Sequence, residues 1–187
     1  MIGGTAVDAL AMSPLGGAAM GLAAVAVLVG LAYLVSFNRF VHSRQSVESS
    51  WGTVDSELQR RHDVIPELVA TVAQYAAHER EVIARVTAAR ARAVASAHTP
   101  EAASVVEPEV ADAVAALVAL RTRYPQLDAQ ANFAALQREL TTTEDRIAAA
   151  RRYYNTVVAQ HNRRCESFPS NVVARRHGFG LAGYFEV

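Results

Sequence analysis

Lysine is absent from this 187-residue chain: all 18 basic residues are arginine, set against 18 acidic ones, and the formal net charge is zero. No global field therefore draws the protein toward nucleic acid, and the arginine bias fits a GC-rich, bacterial genome. A single cysteine, Cys165, excludes an internal disulfide framework and points to a reducing compartment. Glycine and proline are few, ten and six residues, and they gather at segment ends, while alanine is abundant; this is helix composition. The most telling absence is local. No charged residue occurs from Ala9 to Asn38.

Within that stretch Leu15–Phe37 is 23 residues of mostly Leu, Val, Ala and Gly. Roughly 20 such residues are needed for a helix to cross the hydrocarbon core, so a transmembrane helix is expected over residues 1–38 together with a short N-terminus. A cleavable signal peptide is the competing reading. It needs a basic beginning and a shorter apolar run, whereas Met1–Asp8 has no arginine. Arg39, His42 and Arg44 follow the run directly, which predicts an external N-terminus and a cytoplasmic remainder. Gly17 and Gly21, then Ala26 and Gly30, repeat a small-x-x-x-small spacing that lets helix backbones approach in lipid.

Beyond Arg39 the apolar positions recur in alternating steps of three and four. They run Val47, Trp51, Val54, Leu58, then past a gap at Arg61 to Ile65, Leu68, Val72 and Tyr75, with Val82, Val86 and Ala89 farther on. Pro66 interrupts this seam, and with Asp63 placed to cap a new first turn it predicts a break at His62–Pro66, a kink being the alternative. Ser96–Pro108 reads as a linker with two prolines, followed by a short helix over Glu109–Arg123 that Tyr124-Pro125 ends. A long helix is then expected from near Asp128 to Cys165, its seam being Phe133, Leu136, Leu140, Thr143, Ile147, Ala150, Tyr154 and Val157. Seams so narrow must meet one another, which predicts an all-α, elongated, antiparallel up-and-down four-helix bundle over residues 39–167. Residues 168–187 read as a turn at Phe168-Pro169-Ser170-Asn171, a short basic helix over Val172–Arg176 and an aromatic tail punctuated by glycine.

Chemistry is hard to find. None of the six histidines has Glu three residues before it, so the Glu-x-x-His pattern of di-iron bundles is missing. His78-Glu79 begins like a zinc-protease motif, but Val82 stands where the second ligand belongs. His161 and Cys165 share a helix face without further ligands clustered near them in sequence, and no G-x-S-x-G, P-loop or G-x-G-x-x-G occurs. Neither a catalytic residue, a cofactor nor a metal is expected. Acidic residues such as Glu57, Asp63, Glu139 and Glu144 interleave with several Arg-Arg pairs, so these read as surface ion pairs. Arg175-Arg176 is the exception, free of nearby acids and beside aromatics, and suits a lipid headgroup surface.

Several stretches together resemble the LemA family. They are Trp51-Gly-Thr-Val-Asp-Ser-Glu-Leu-Gln-Arg-Arg-His-Asp-Val-Ile-Pro-Glu-Leu-Val69, Tyr75-Ala-Ala-His-Glu79, Tyr124-Pro125 followed by Asn132-Phe133, Leu136-Gln-Arg-Glu-Leu140, Thr143-Glu144, Ala150-Arg-Arg-Tyr-Tyr-Asn155, Phe168-Pro-Ser-Asn171 and Tyr184-Phe185-Glu186. The resemblance runs in order from about Asn38 to the end. It implies an N-terminal membrane anchor, a four-helix bundle and no established enzymatic activity; a related member belongs to magnetosome membrane machinery. His177 stands where the family usually has an apolar or aromatic residue.

The expected function is therefore that of a non-enzymatic scaffold of the bacterial inner membrane, single-pass, which forms homo-oligomers and organises or remodels the membrane. The alternative is a membrane-tethered adaptor that recruits a partner protein without large self-assembly. Gly17, Gly21, Ala26 and Gly30 are candidates for packing within the span. Arg39, Arg44, Arg175, Arg176, Phe179, Tyr184 and Phe185 are candidates for membrane-proximal or inter-subunit contacts. Partners are membrane lipids, further copies of the chain and an unidentified protein, but no nucleic acid.

Overall fold

The computed structural model describes residues 14–96 and 98–186, with side chains from residue 17 onward; the N-terminus expected outside the membrane precedes these residues. Among the described residues there are helices and connections but no strand. Helix α1 spans Pro14–Tyr75, α2 Arg80–Ala95, α3 Pro100–Ala119, the short α4 Pro125–Asp128, α5 Ala131–Glu166 and α6 Ser170–His177.

The break expected at His62–Pro66 does not occur, because α1 continues through Pro66. Proline removes the amide that would bond the carbonyl four residues earlier, here that of His62. Arg90 of α2 donates its Nε–H to that same carbonyl at 2.6 Å. A side chain from a neighbouring helix thus replaces the lost backbone donor. The chain turns later, at residues 76–79, where the Glu79 amide bonds the Ala76 carbonyl at 3.0 Å.

The expected linker over Ser96–Pro108 is also shorter than the sequence suggested, for α3 begins at Pro100. Thr99 is its N-cap and accepts from the Ala102 amide at 3.3 Å, Pro100 takes the first turn and Glu101 follows. These are ordinary helix-start residues. Pro108 lies inside α3, and a turn of 3-10 helix, Leu120–Thr122, ends it. In α5 the buried face follows the expected seam from Phe133 to Tyr154, then shifts by one residue to Val158 and His161.

The chain forms two compact units. One contains residues 1–43 and 164–180, the other residues 44–163 and 181–187. The larger unit holds two apolar clusters. The first joins Ile65, Leu68 and Val72 of α1, Val86 and Ala89 of α2, Val110 and Leu117 of α3, and Phe133 and Leu136 of α5. The second gathers Val54, Leu58, Ala103, Ile147, Tyr154, Val158 and Phe185. The smaller unit has its own cluster, with Phe40, Val173 and Ala174 buried and Phe37, Cys165 and Phe179 packed around them.

Candidate functional site

In the larger unit the seam gap at Arg61 is filled by Arg61 itself. Leu58, Arg61 and Ile65 keep the three-four spacing, and all three are buried, Arg61 to 2% exposure. On α3 the corresponding exception is Glu107, also 2% exposed, standing between Ala103 and Val110 on the buried face. Arg61 donates through Nη2 to Glu107 Oε2 in a short bond, and through Nη1 to Glu144 Oε1 at 2.8 Å. His62 lies on the other carboxylate oxygen of Glu107, 3.1 Å away. An ammonium or guanidinium buried without a partner is costly, and this pairing offsets the cost. The surface ion pair expected for Arg61 is thus an interior one.

Burial alone would push the Glu107 carboxyl up, but the hydrogen bond from His62, the charge of Arg61 and that of His62 outweigh it. Glu107 is held below the ordinary carboxylate range. A cavity of about 100 Å³ adjoins the cluster, lined by Leu58, Arg61, Glu107, Glu144 and Phe185 among others, and the Nε of Arg61 has no hydrogen-bond partner there. The cluster's charges are spent on one another, so its chemistry is that of a polar joint in a helical core.

The C-terminal residues 181–186 are held in the same unit by two asparagines of α5. Asn155 donates to the Phe185 carbonyl at 2.9 Å and accepts from the Phe185 amide at 3.0 Å. Asn162 does the same for Ala182, at 3.0 and 2.8 Å. Seven residues separate the two, which places both on one helix face. The Phe185 ring is fully buried edge-on to Trp51, 5.4 Å between centroids, and Trp51 also meets Tyr154. Tyr154 donates its hydroxyl to the Gly183 carbonyl at 2.7 Å, and burial, with the Glu101 carboxylate second, pushes it up to about 12. Phe185 is thereby taken up by the chain's own core, while Tyr184 stays exposed.

Other residues quoted in the family resemblance also meet. Tyr124 donates to Glu79 at 2.9 Å and Arg123 at 2.7 Å, which together hold that carboxyl below its usual range. Asn132 reaches Thr71 at 3.2 Å. Signals for these contacts were present in the sequence as motif residues without assigned work. Arg61 and Glu107 were legible only as polar residues in apolar register.

In the smaller unit the large apolar side chains from Met20 to Val35 are exposed. Gly17, Gly21 and Gly30 face open space, with no atom within 4 Å of an added Cβ, and Ala26 is exposed. Near the end of this stretch stands Tyr33, whose hydroxyl lies 2.7 Å from His177 Nε2 of α6. The His177 ring meets Phe37 edge-on at 4.8 Å, and Phe179 stacks on Phe40 at 5.0 Å. Val173 and Ala174 are buried; Arg175 and Arg176 point outward and Arg39 is exposed. Arg44, by contrast, belongs to the larger unit and pairs with Glu48 at 3.0 Å. Burial, helped by Glu166, pushes the Cys165 thiol up, away from a reactive thiolate. Among the described residues no group of three His, Cys, Asp or Glu is arranged to hold a metal.

The family model described as the LemA family matches residues 50–187. Among curated proteins none matches the chain. The match covers well over half of the sequence, and the chain belongs to the LemA family.

Proposed function

We propose that this LemA-family protein is a non-enzymatic, single-pass scaffold of the bacterial cytoplasmic membrane. Its N-terminus lies outside, its bundle in the cytoplasm, and it forms homo-oligomers that organise or remodel the bilayer. The observation that carries this reading is the apolar stretch of α1. The helix is long and apolar enough to cross a membrane, and none of its most apolar window is buried within the chain. A stretch so exposed needs lipid or another copy around it. Arg39 immediately beyond it supports the cytoplasmic side for the remainder.

An antiparallel four-helix arrangement of α1, α2, α3 and α5 is part of the proposal. It is supported by pairs that run in opposite directions along α1 and α5: Trp51 with Tyr154, Arg61 with Glu144, Thr71 with Asn132. The adaptor reading has one observation in its favour. A groove of about 920 Å³ in the larger unit has an apolar floor that includes Ala111, Ala115, Val118 and Ala134, with Arg121, Arg138 and Glu144 also lining it.

The test is particle size after gentle detergent extraction, combined with thiol labelling on intact cells. Large discrete particles that shrink on Gly17→Leu with Gly21→Leu are expected, because two bulky side chains hold the span backbones apart. Monomers or dimers in the wild type would decide for the adaptor. A cysteine at residue 4 should react with an impermeant reagent while one at Ser104 should not; the reverse would invert the orientation.

A further inference from the structure

The smaller unit carries more than an anchor. Helix α6 has two faces: Val173 and Ala174 are buried and His177, itself exposed, touches Tyr33 and Phe37, while Val172, Arg175 and Arg176 form an outward stripe at helical spacing. Preceding that stripe stands Phe168, 83% exposed, and Val172 is 55% exposed. Two large apolar side chains thus lie open in the same short segment as two arginines. Among the described residues none of Arg39, Arg164, Arg175 and Arg176 has an ion-pair partner. The unit has these four arginines against Asp8 and Glu166, a positive balance that the larger unit lacks.

The placement of α6 supplies the argument for what the stripe faces. Its last turn is fixed to Tyr33 through His177, and its middle packs on Phe40. Tyr33 and Phe40 are seven residues apart, about 10 Å along a helix. The last turn of α6 therefore sits at the depth where the exposed apolar stretch of α1 ends, and its middle sits just beyond. At such a boundary an aromatic ring is favoured in the headgroup region, and an arginine stem covers apolar surface while its guanidinium meets phosphate.

We infer that Phe168–Arg176 is an interfacial foot that binds anionic lipid headgroups, with Arg175 and Arg176 on the phosphates and Phe168 and Val172 turned to the headgroup layer. The inference rests on α1 being a membrane span. It departs from the sequence expectation in its aromatic: Phe168 faces lipid, whereas Phe179 is stacked on Phe40 and Phe185 lies in the core of the other unit. The ligand is a membrane lipid and not a free phosphate, because the arginines are exposed on the same unit as the open apolar stretch of α1.

The test uses the full chain reconstituted into vesicles containing lipids with a quencher in the upper acyl chain. A fluorophore is attached at Phe168→Cys in a Cys165→Ala background, with Leu28→Cys in the same background as the reference on the span. Quenching at both positions is expected. At residue 168 it should rise when phosphatidylglycerol joins phosphatidylcholine, and Arg175→Gln and Arg176→Gln should each weaken that docking roughly fivefold. Excess inorganic phosphate should leave it unchanged. Quenching at residue 28 without quenching at 168 would overturn the foot and leave the anchor standing; absence at both would overturn the anchor and the foot together. Quenching at 168 indifferent to phosphatidylglycerol, or abolished by inorganic phosphate, would remove the headgroup role. Excimer emission from pyrene placed at Val172→Cys would assign this face to a second copy instead.

Discussion

The two units of this protein solve opposite problems with the same residue type. In the larger one, 14 arginines face 16 acidic residues, and even the most buried arginine, Arg61, is held by Glu107 and Glu144. In the smaller one, arginines and large apolar side chains are left outward together. The larger unit pairs its most buried charges with one another and encloses two apolar clusters. The smaller one leaves its longest apolar stretch and its arginines open, which suits surroundings that supply both an apolar phase and anions. Arginine serves both purposes because its fork can be locked in an interior pair or offered to phosphate.

The comparison is broken most forcefully at Arg61. Arg61→Ala should destabilise the larger unit by about 3–5 kcal/mol, because Glu107 stays buried with its main cation gone. Denaturant unfolding of the full chain in mild detergent, followed by Trp51 fluorescence, measures this. Arg61→Met combined with Glu107→Leu should recover much of the loss. A double variant as unstable as the sum of its parts would mean the two side chains do not form one cluster.

The tail comes next. Phe185→Ala should cost about 3 kcal/mol in the same experiment, from lost burial against Trp51 and the cavity left behind. Unchanged stability would detach the tail from the core. Removing Leu181–Val187 should have at least this effect, since the Asn155 and Asn162 clamps then lose their partners.

A smaller effect is expected from acid. Glu107 has its folded-state pKa below the ordinary value of 4.5. Its contribution to stability is therefore present above that value and lost as the pH falls through the lower, folded one. Glu107→Gln should flatten this acid limb. A limb that persists undiminished in the variant would place its origin in other carboxylates.

Much of this architecture could be read from the chain. The seam of α5 from Phe133 to Tyr154 follows from spacing and composition, because burial enforces period. What escaped reading involves contacts between distant residues. Pro66 is locally a break signal, and only Arg90 arriving at the His62 carbonyl makes it harmless. Thr99-Pro100-Glu101 is a legible helix start that the second proline, Pro108, disguised as linker. Arg61 and Glu107 stand in seam register, but polarity hid them until each was seen to be the other's partner. The inward aromatics at Phe179 and Phe185 and the outward Phe168 have no periodic signature to tell them apart.

The smallest effect separates the units most cleanly. Gly178 closes α6 in the left-handed region, at φ 70° and ψ 26°, and both its amide and that of Phe179 reach the Ala174 carbonyl. This turn sends the chain from His177 back to Phe179 on Phe40. A Cβ meets no neighbouring atom there, so Gly178→Ala is resisted by backbone conformation alone, at about 1–2 kcal/mol. The strain falls entirely within the smaller unit. Hydrogen exchange over residues 170–180 should quicken, while the unfolding midpoint read by Trp51 in the larger unit should stay where it was. A midpoint that drops with the substitution would mean the two units unfold as one body, and the contrast between a self-satisfied core and an outward-facing foot would then describe surfaces of a single cooperative domain.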